Sequence, residues 1–296
     1  MVKIVQYKTL LFDVDDTLLD FKKGERYALS EIFSTYGITP YERGYATYQA
    51  INSSLWRAAE EGEITVDEIF LVRFVRFLED LHIQDDGVKL DERFRNYVAE
   101  KDFSFDGCYD LLARLAPHYE LAIVTNGHKT MQEPRLKKAH LYDFFSHIFI
   151  SADIGVQKPD IRFFEAVEQG MPNLQHETTL IIGDSLTSDM EGGRRFGIAT
   201  CWYNPNHLPL PKEPVDYIIA NYDELEQLLL WQDEMRIAIA QDNSTECLYF
   251  VGELQELPKL AVDFNEAVAE IKALGFLPTT KQICDYTITL QEQVQI

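Results

Sequence analysis

Residues 7–17 read Tyr-Lys-Thr-Leu-Leu-Phe-Asp-Val-Asp-Asp-Thr. A short apolar run bounded by polar residues is the pattern of a buried strand. This one ends in the carboxylates Asp13, Asp15 and Asp16. The spacing predicts a strand over Tyr7–Asp13 with acidic side chains just beyond its carboxyl end. In open α/β sheets ligands bind at that edge, so the stretch points to a fold and to a place for chemistry at once.

Downstream, from about Phe21 to Phe103, the pattern is helical and rich in aromatic residues. Helices are expected over Arg26–Tyr36 with Gly37 as stop, Tyr41–Glu61, Thr65–Leu81 and Asp91–Glu100. Strand and helix then alternate. Strands are expected at Leu121–Val124, Ile148–Ile150, Leu180–Ile182, Ile198–Trp202 and Tyr217–Ala220. The helices between them are Cys108–Leu115, Gln132–His140, Ile161–Gln169 and Asp189–Phe196. Starting the second of these at Gln132 keeps Pro134 in a first turn, where its missing N–H costs nothing. A last helix opens at Asp223–Trp231 and extends toward Ala240.

Such alternation predicts an α/β fold with a doubly wound parallel sheet. The helical block reads as an insertion into the sheet's first crossover. The expected organisation is a core from residues 1–20 and 104–240, an α-helical cap over 21–103, and a small C-terminal α/β appendage over 241–296. In the appendage Cys247–Val251 and Tyr286–Leu290 read as strands and Lys259–Leu274 as a helix.

Composition narrows the functional classes. The 296 residues carry 27 Lys+Arg against 49 Asp+Glu, a formal net charge of −22. That balance opposes a sequence-independent nucleic-acid binder, which needs a basic surface, and opposes docking on anionic lipid. With 46% hydrophobic residues the chain has ample apolar surface to fold. Its 4 cysteines form no CxxC pair, and reduced thiols in a cytoplasmic protein are the plain expectation. No transmembrane segment or signal peptide is expected.

Four segments carry chemistry, each just after a predicted strand: Asp13-Val14-Asp15-Asp16-Thr17; Thr125-Asn126-Gly127; Lys158 in Gln-Lys-Pro-Asp; and Gly183-Asp184 followed by Asp189. Each alone is an ordinary turn or helix start. Together they hold a carboxylate able to attack phosphorus, further carboxylates that a divalent cation would reconcile, and a Lys and a hydroxyl for phosphoryl oxygens. The set suits metal-assisted phosphoryl transfer through Asp13, Asp15, Asp184, Asp189, Thr125 and Lys158.

In order and context these segments resemble the four motifs of the haloacid dehalogenase superfamily, and the helical block stands where that family carries its α-helical type 1 cap. The resemblance implies Asp13 as nucleophile and Asp15 as general acid, then base, with its backbone carbonyl on the metal. It implies Thr125 and Lys158 on the phosphoryl group, Mg²⁺ as cofactor held through Asp13, Asp15, Asp184 and Asp189, and Thr17 steadying the first loop. Asp15 also separates branches, because the dehalogenases, which attack carbon, lack it. Asp16 departs from the common pattern and is expected to bond loop amides.

A finer resemblance extends over about residues 5–230. The stretches Tyr48–Asn52 with Leu55-Trp56, Thr125–Gly127 with Gln132 and Arg135-Leu136, and Ser151–Pro159 are similar to bacterial noncanonical pyrimidine 5′-nucleotidases. The substrate implied is a nucleoside 5′-monophosphate, with Asn126, Asn52 and Trp56 among its contacts. Phe21 and Tyr48 are further candidates for the flat wall a base needs. Other readings are a phosphatase of another small metabolite, such as a sugar phosphate, or an interaction protein acting through its C-terminal segment. A monomer or homodimer is expected. The net charge leaves room for one nucleotide, because Lys129, Arg135, Lys137 and Lys138 form a local positive patch after Thr125.

Overall fold

The structure is a computed structural model that describes residues 7–60, 62–230, 239–240, 246–251, 280–283 and 286–292. Two compact units are present. The larger comprises residues 7–206 and 213–222. The other comprises residues 207–212 together with the N-terminal six residues and the chain from 223 onward.

The larger unit is built on a six-stranded parallel sheet of order β3-β2-β1-β4-β5-β6. Its strands are β1 (Thr9–Phe12), β2 (Glu120–Thr125), β3 (His147–Ile150), β4 (Thr179–Gly183), β5 (Ala199–Tyr203) and β6 (Tyr217–Ile219). Every residue of β1 is buried, as expected for a central strand covered on both faces. The register pairs Phe12 with Ile123 on one side and Ile182 on the other. The carboxyl ends of β1, β2 and β4 are therefore level, and the sheet order reverses at β1, the switch point where α/β sheets bind ligands.

Four of the five helices between β1 and β2 form the insertion: α1 (Phe21–Tyr36), α2 (Tyr41–Glu60), α3 (Val66–Asp80) and α4 (Gly87–Glu100). Asp20 caps α1 by accepting from the Lys23 amide, so this helix begins earlier than its apolar pattern suggested. Gly37 ends it in the left-handed conformation, φ 63°, which glycine adopts without penalty. Thr65 and Glu68 close a capping box on α3. The four helices bury one another through a cluster that includes Phe33, Tyr48, Phe74, Phe77 and Phe94.

The remaining helices of this unit are α5 (Cys108–Leu115), α6 (Lys129–Lys138), α7 (Ser151–Ile154), α8 (Ile161–Gly170) and α9 (Glu191–Phe196). Two boundaries differ from expectation. Helix α6 starts at Lys129 and carries Pro134 inside it, because His128 supplies the N-cap by accepting from the Thr130 amide. Before α9 the chain makes a π-helical turn, Leu186–Met190, where a plain helix from Asp189 was expected.

Helix α10 (Tyr222–Leu230) crosses from the larger unit to the other, which also holds a four-stranded antiparallel sheet of order β7-β8-β10-β9. Its strands are β7 (Ile239–Ala240), β8 (Glu246–Val251), β9 (Thr280–Ile283) and β10 (Tyr286–Glu292). Ile239 and Ala240 pair with Leu248 and Cys247, so the last helix does not reach Ala240. Strand β9 had no counterpart in the sequence reading. The helix expected over 259–274 lies outside the described residues. No described helix is long and apolar enough to cross a membrane.

Candidate active site

Asp13 follows β1, and its amide donates to the Ile182 carbonyl at 2.9 Å, continuing the sheet pattern by one residue. This places a carboxylate at the level of Val124 and Gly183, with Thr125, the last residue of β2, one position beyond. Thr17 Oγ1 donates to Asp13 Oδ2 at 3.3 Å.

Lys158 is buried beneath this edge. Its Nζ donates to Asp13 Oδ1 at 2.8 Å, to Asp189 Oδ1 at 2.6 Å and to the Val124 carbonyl at 2.6 Å, which uses all three ammonium hydrogens. Asn126 fixes the backbone there, accepting from the Lys158 amide at 2.8 Å and donating to the Lys158 carbonyl at 2.9 Å. Asp189 Oδ2 accepts from the Ser185 amide at 3.1 Å. The π-helical turn returns Asp189 so close to β4 that a Cβ on Gly183 would overlap its carboxylate.

Carboxylate oxygens of Asp13, Asp184 and Asp189 lie within 4.8 Å of one another. Burial first, then the neighbouring carboxylates, push Asp13 up to about 7, with Lys158 opposing the shift. The same causes, with Asp13 as the leading neighbour, push Asp184 up to about 8. Burial disfavours the Lys158 ammonium, but Asp13 and Asp189 outweigh it and hold its pKa above the ordinary value. A cluster of hard oxygen donors whose members resist ionising side by side fits a cation such as Mg²⁺.

Asp15 faces away from that cluster, toward α6. Its Oδ1 accepts from Arg135 Nη1 and its Oδ2 from Gln132 Nε2 at 2.8 Å. Gln132 Nε2 also reaches Thr125 Oγ1 at 3.1 Å, and Gln132 Oε1 accepts from Arg135 Nη1 at 2.8 Å. Gly127 makes room for this amide, since a Cβ there would sit 2.7 Å from Gln132 Nε2.

Above the carboxylates opens a cleft of about 210 Å³. Asp13, Asp15, Asp184, Asp189, Asn126 and Gln132 line its lower part, and Phe21, Trp56, Phe70, Arg73 and Met131 its upper part. Arg73 is held by Asp91, which accepts from its Nε at 3.0 Å and its Nη2 at 2.7 Å, and Arg73 Nη1 donates to Tyr48 Oη and Asn52 Oδ1. Four aromatic rings, of Tyr48, Phe70, Phe74 and Phe94, surround the guanidinium.

The expected residues thus converge with some exceptions. Thr125 and Lys158 are buried behind the lining rather than in it, bonded to Gln132 and to Asp13. Tyr48 is fully buried among Phe74, Phe77 and Phe94 and forms no base wall. Asn52 reaches the cleft only through Arg73. Asp16 pairs with Lys22 at 2.9 Å instead of bonding loop amides. The positive patch is spent only in part: Lys129 and Lys137 share one partner, Glu133, and Arg135 is turned inward onto Asp15. Arg73 is not among the residues the sequence points to, and the sequence points to Gln132 only through the nucleotidase resemblance and to Arg135 through that resemblance and the positive patch, not as partners of Asp15; their i, i+3 spacing on the helix after Thr125 was the available signal.

A family model for haloacid dehalogenase-like hydrolases matches residues 7–197. The chain belongs to this family. It is 42% identical over 225 residues to the HAD-hydrolase YfnB of Bacillus subtilis, covering 76% of this chain and 96% of the relative. It is 38% identical to the pyrimidine 5′-nucleotidase PynA of Streptococcus pneumoniae, over 68% of this chain and 86% of the relative. To the pyrimidine 5′-nucleotidase YjjG of Escherichia coli it is 32% identical, over 76% and 99% respectively. The crystal structure of YfnB, described as bound to magnesium, superposes with a TM-score of 0.69 over 76% of this chain and 99% of that one.

Proposed function

We propose that the protein is a Mg²⁺-dependent phosphomonoester hydrolase that acts through an aspartyl-phosphate on Asp13, with a pyrimidine nucleoside 5′-monophosphate as substrate. The observation that carries this reading is the unlike setting of two carboxylates after β1. Asp13 is buried on Lys158, while Asp15 is half-buried on Gln132 and Arg135 and opens on the same cleft. One suits a nucleophile and the other a proton carrier. A protein that only bound a partner, or one that attacked carbon, has no use for the second.

In this mechanism an Asp13 oxygen attacks phosphorus. The bond from phosphorus to the 5′ oxygen breaks, its electron pair stays with that oxygen, and the oxygen takes the proton held on Asp15. Water then attacks the aspartyl-phosphate at phosphorus and gives a proton to Asp15. Phosphate is released, and Asp13 and Asp15 return to their starting states. Lys158 and Thr125 supply positive charge and a hydroxyl to the phosphoryl oxygens. Asp13, Asp184 and the Asp15 main-chain carbonyl would hold the cation, which when bound offsets the negative charge of carboxylates and phosphate together. Both Asp189 oxygens are already bonded, so this side chain serves by orienting Lys158.

The upper cleft supports the choice of substrate. Phe21, Trp56 and Phe70 offer flat apolar faces for a base. The nucleotidase relatives PynA and YjjG point the same way. The test is a panel with Mg²⁺: dUMP, UMP and dTMP against sugar phosphates and a generic aryl phosphate. The nucleotides should give the highest kcat/KM. If they are turned over no better than the aryl phosphate, the nucleotidase reading fails.

A further inference from the structure

Arg135 and Gln132, which hold Asp15, neither gain nor lose a bond in the steps above. We propose that Arg135, with Gln132, is a positioning residue that fixes the Asp15 carboxyl group for proton transfer to the leaving oxygen. The proposal rests on the aspartyl-phosphate reading above.

Both Asp15 oxygens are engaged, one by each residue. The third side of the triangle, from Arg135 Nη1 to Gln132 Oε1 at 2.8 Å, fixes which way the Gln132 amide points. Its Nε2 is thereby turned toward Asp15. The clamp is itself held rigid. Gln132 is 1% and Arg135 3% exposed. The Phe21 ring lies against the guanidinium, 5.3 Å from its carbon. Met131, the neighbour of Gln132, is packed in the cap's apolar cluster.

Energetics argue against a merely stabilising role. An arginine buried this deeply loses its hydration, and Arg135 Nη2 is buried with no hydrogen-bond partner, a costly arrangement. Its one ion-pair partner among the described residues, Asp15, is itself 31% exposed, which weakens the pair. The return on that cost is orientation. A proton carrier must sit within about 2.6–3.2 Å of the atom it serves. An error of about 1 Å costs roughly 10²-fold in rate. An unheld aspartate on a loop would spend its time among several rotamers.

The experiment exploits the leaving group. A nucleoside 5′-alkoxide is strongly basic and needs the proton, whereas 2,4-dinitrophenolate departs without it. Values of kcat/KM, which report the steps up to leaving-group departure, are compared for UMP and 2,4-dinitrophenyl phosphate in wild type, Asp13→Asn, Asp15→Asn, Arg135→Met and Gln132→Met. Asp15→Asn and Arg135→Met should each lose about 10²-fold more on UMP than on the aryl ester, and Gln132→Met should lose in the same sense. Should Arg135→Met fail to fold, Gln132→Met, close in volume, tests the clamp through its other arm. Equal losses on both esters in the clamp variants, beside a selective loss in Asp15→Asn, would overturn the proposal. Turnover surviving in Asp13→Asn would instead overturn the aspartyl-phosphate reading beneath it.

Discussion

Lys158 Nζ donates to Asp189 Oδ1 across 2.6 Å, and each side chain is 1% exposed. Removing one partner of a buried pair leaves the other charge uncompensated, at a cost of about 3–5 kcal/mol. Asp189→Asn spares Lys158 its contact with Asp13, so the loss should fall near the lower end, about 3 kcal/mol. Urea unfolding should show a clearly lower midpoint. Activity should fall as well, because Lys158 is free to shift its charge away from the phosphoryl site. An unchanged midpoint would mean that the pair contributes orientation alone.

Asp13→Asn should reduce turnover to background while preserving the fold, because the amide cannot attack phosphorus. The stability comparison has a definite sign. Burial places the Asp13 pKa near 7 in the folded protein, above its ordinary value of 3.8. A group raised on folding favours the fold while protonated and loses that contribution as pH rises through its folded pKa. In EDTA, the wild type should therefore lose ground relative to Asp13→Asn between about pH 4 and pH 8. Thermal melts at several pH values check this, and a gap that widened in favour of wild type would contradict the assigned direction.

Mg²⁺ affinity should rise with pH. Asp184 lies at about 8 and Asp13 at about 7 in the metal-free protein, so cation binding below these values must displace protons. Each displaced proton steepens the dependence by about tenfold per pH unit. The affinity measured by titration calorimetry at pH 6 should be far weaker than at pH 8.5, with proton release visible as a dependence on buffer ionisation enthalpy. EDTA should abolish turnover and Mg²⁺ restore it. A pH-independent affinity would argue for a cation held elsewhere.

The Arg73–Asp91 pair offers a test inside the cap. Arg73 is 1% and Asp91 0% exposed, and Arg95 also donates to Asp91, at 2.9 Å. Asp91→Asn should destabilise the protein by about 3–5 kcal/mol. The double change Arg73→Met with Asp91→Leu should cost much less than the sum of its parts. Independently, Trp56→Ala should raise KM for nucleotides with little change in kcat, since it borders the cleft away from the carboxylates. Urea midpoints and steady-state kinetics give the two readouts.

The parallel sheet and its edge were legible because both rest on local pattern: apolar runs of strand length, each followed by a turn carrying one chemical group. Asp13, Thr125, Lys158 and Asp184 could be placed from that alone. What escaped depends on side chains crossing between elements. Arg73 sat in an amphipathic helix like any solvated arginine, and only the fold reveals Asp91 and four rings around it. Arg135 reads as part of a positive patch, yet it turns inward onto Asp15, while Lys129 and Lys137 share Glu133. Helix α6 starts earlier than the Pro134 penalty alone predicts because His128 caps it. Ile239 and Ala240 suit a helix or a strand equally by pattern, and pairing with β8 decides for the strand.

Met131 belongs by sequence to α6, the helix that follows β2, yet its side chain is counted among the apolar interior of the four inserted helices. Two polar ties run alongside it, Arg95 to Thr130 at 3.0 Å and His128 to Asp67 at 3.2 Å. Any swing of the insertion away from the sheet has to draw this plug into water, at about 1.5–3 kcal/mol for a side chain of its size. The widened arrangement then starts at a disadvantage of roughly ten- to a hundredfold in population. Met131 and these two ties together hold the insertion against the sheet, although none of them touches phosphorus.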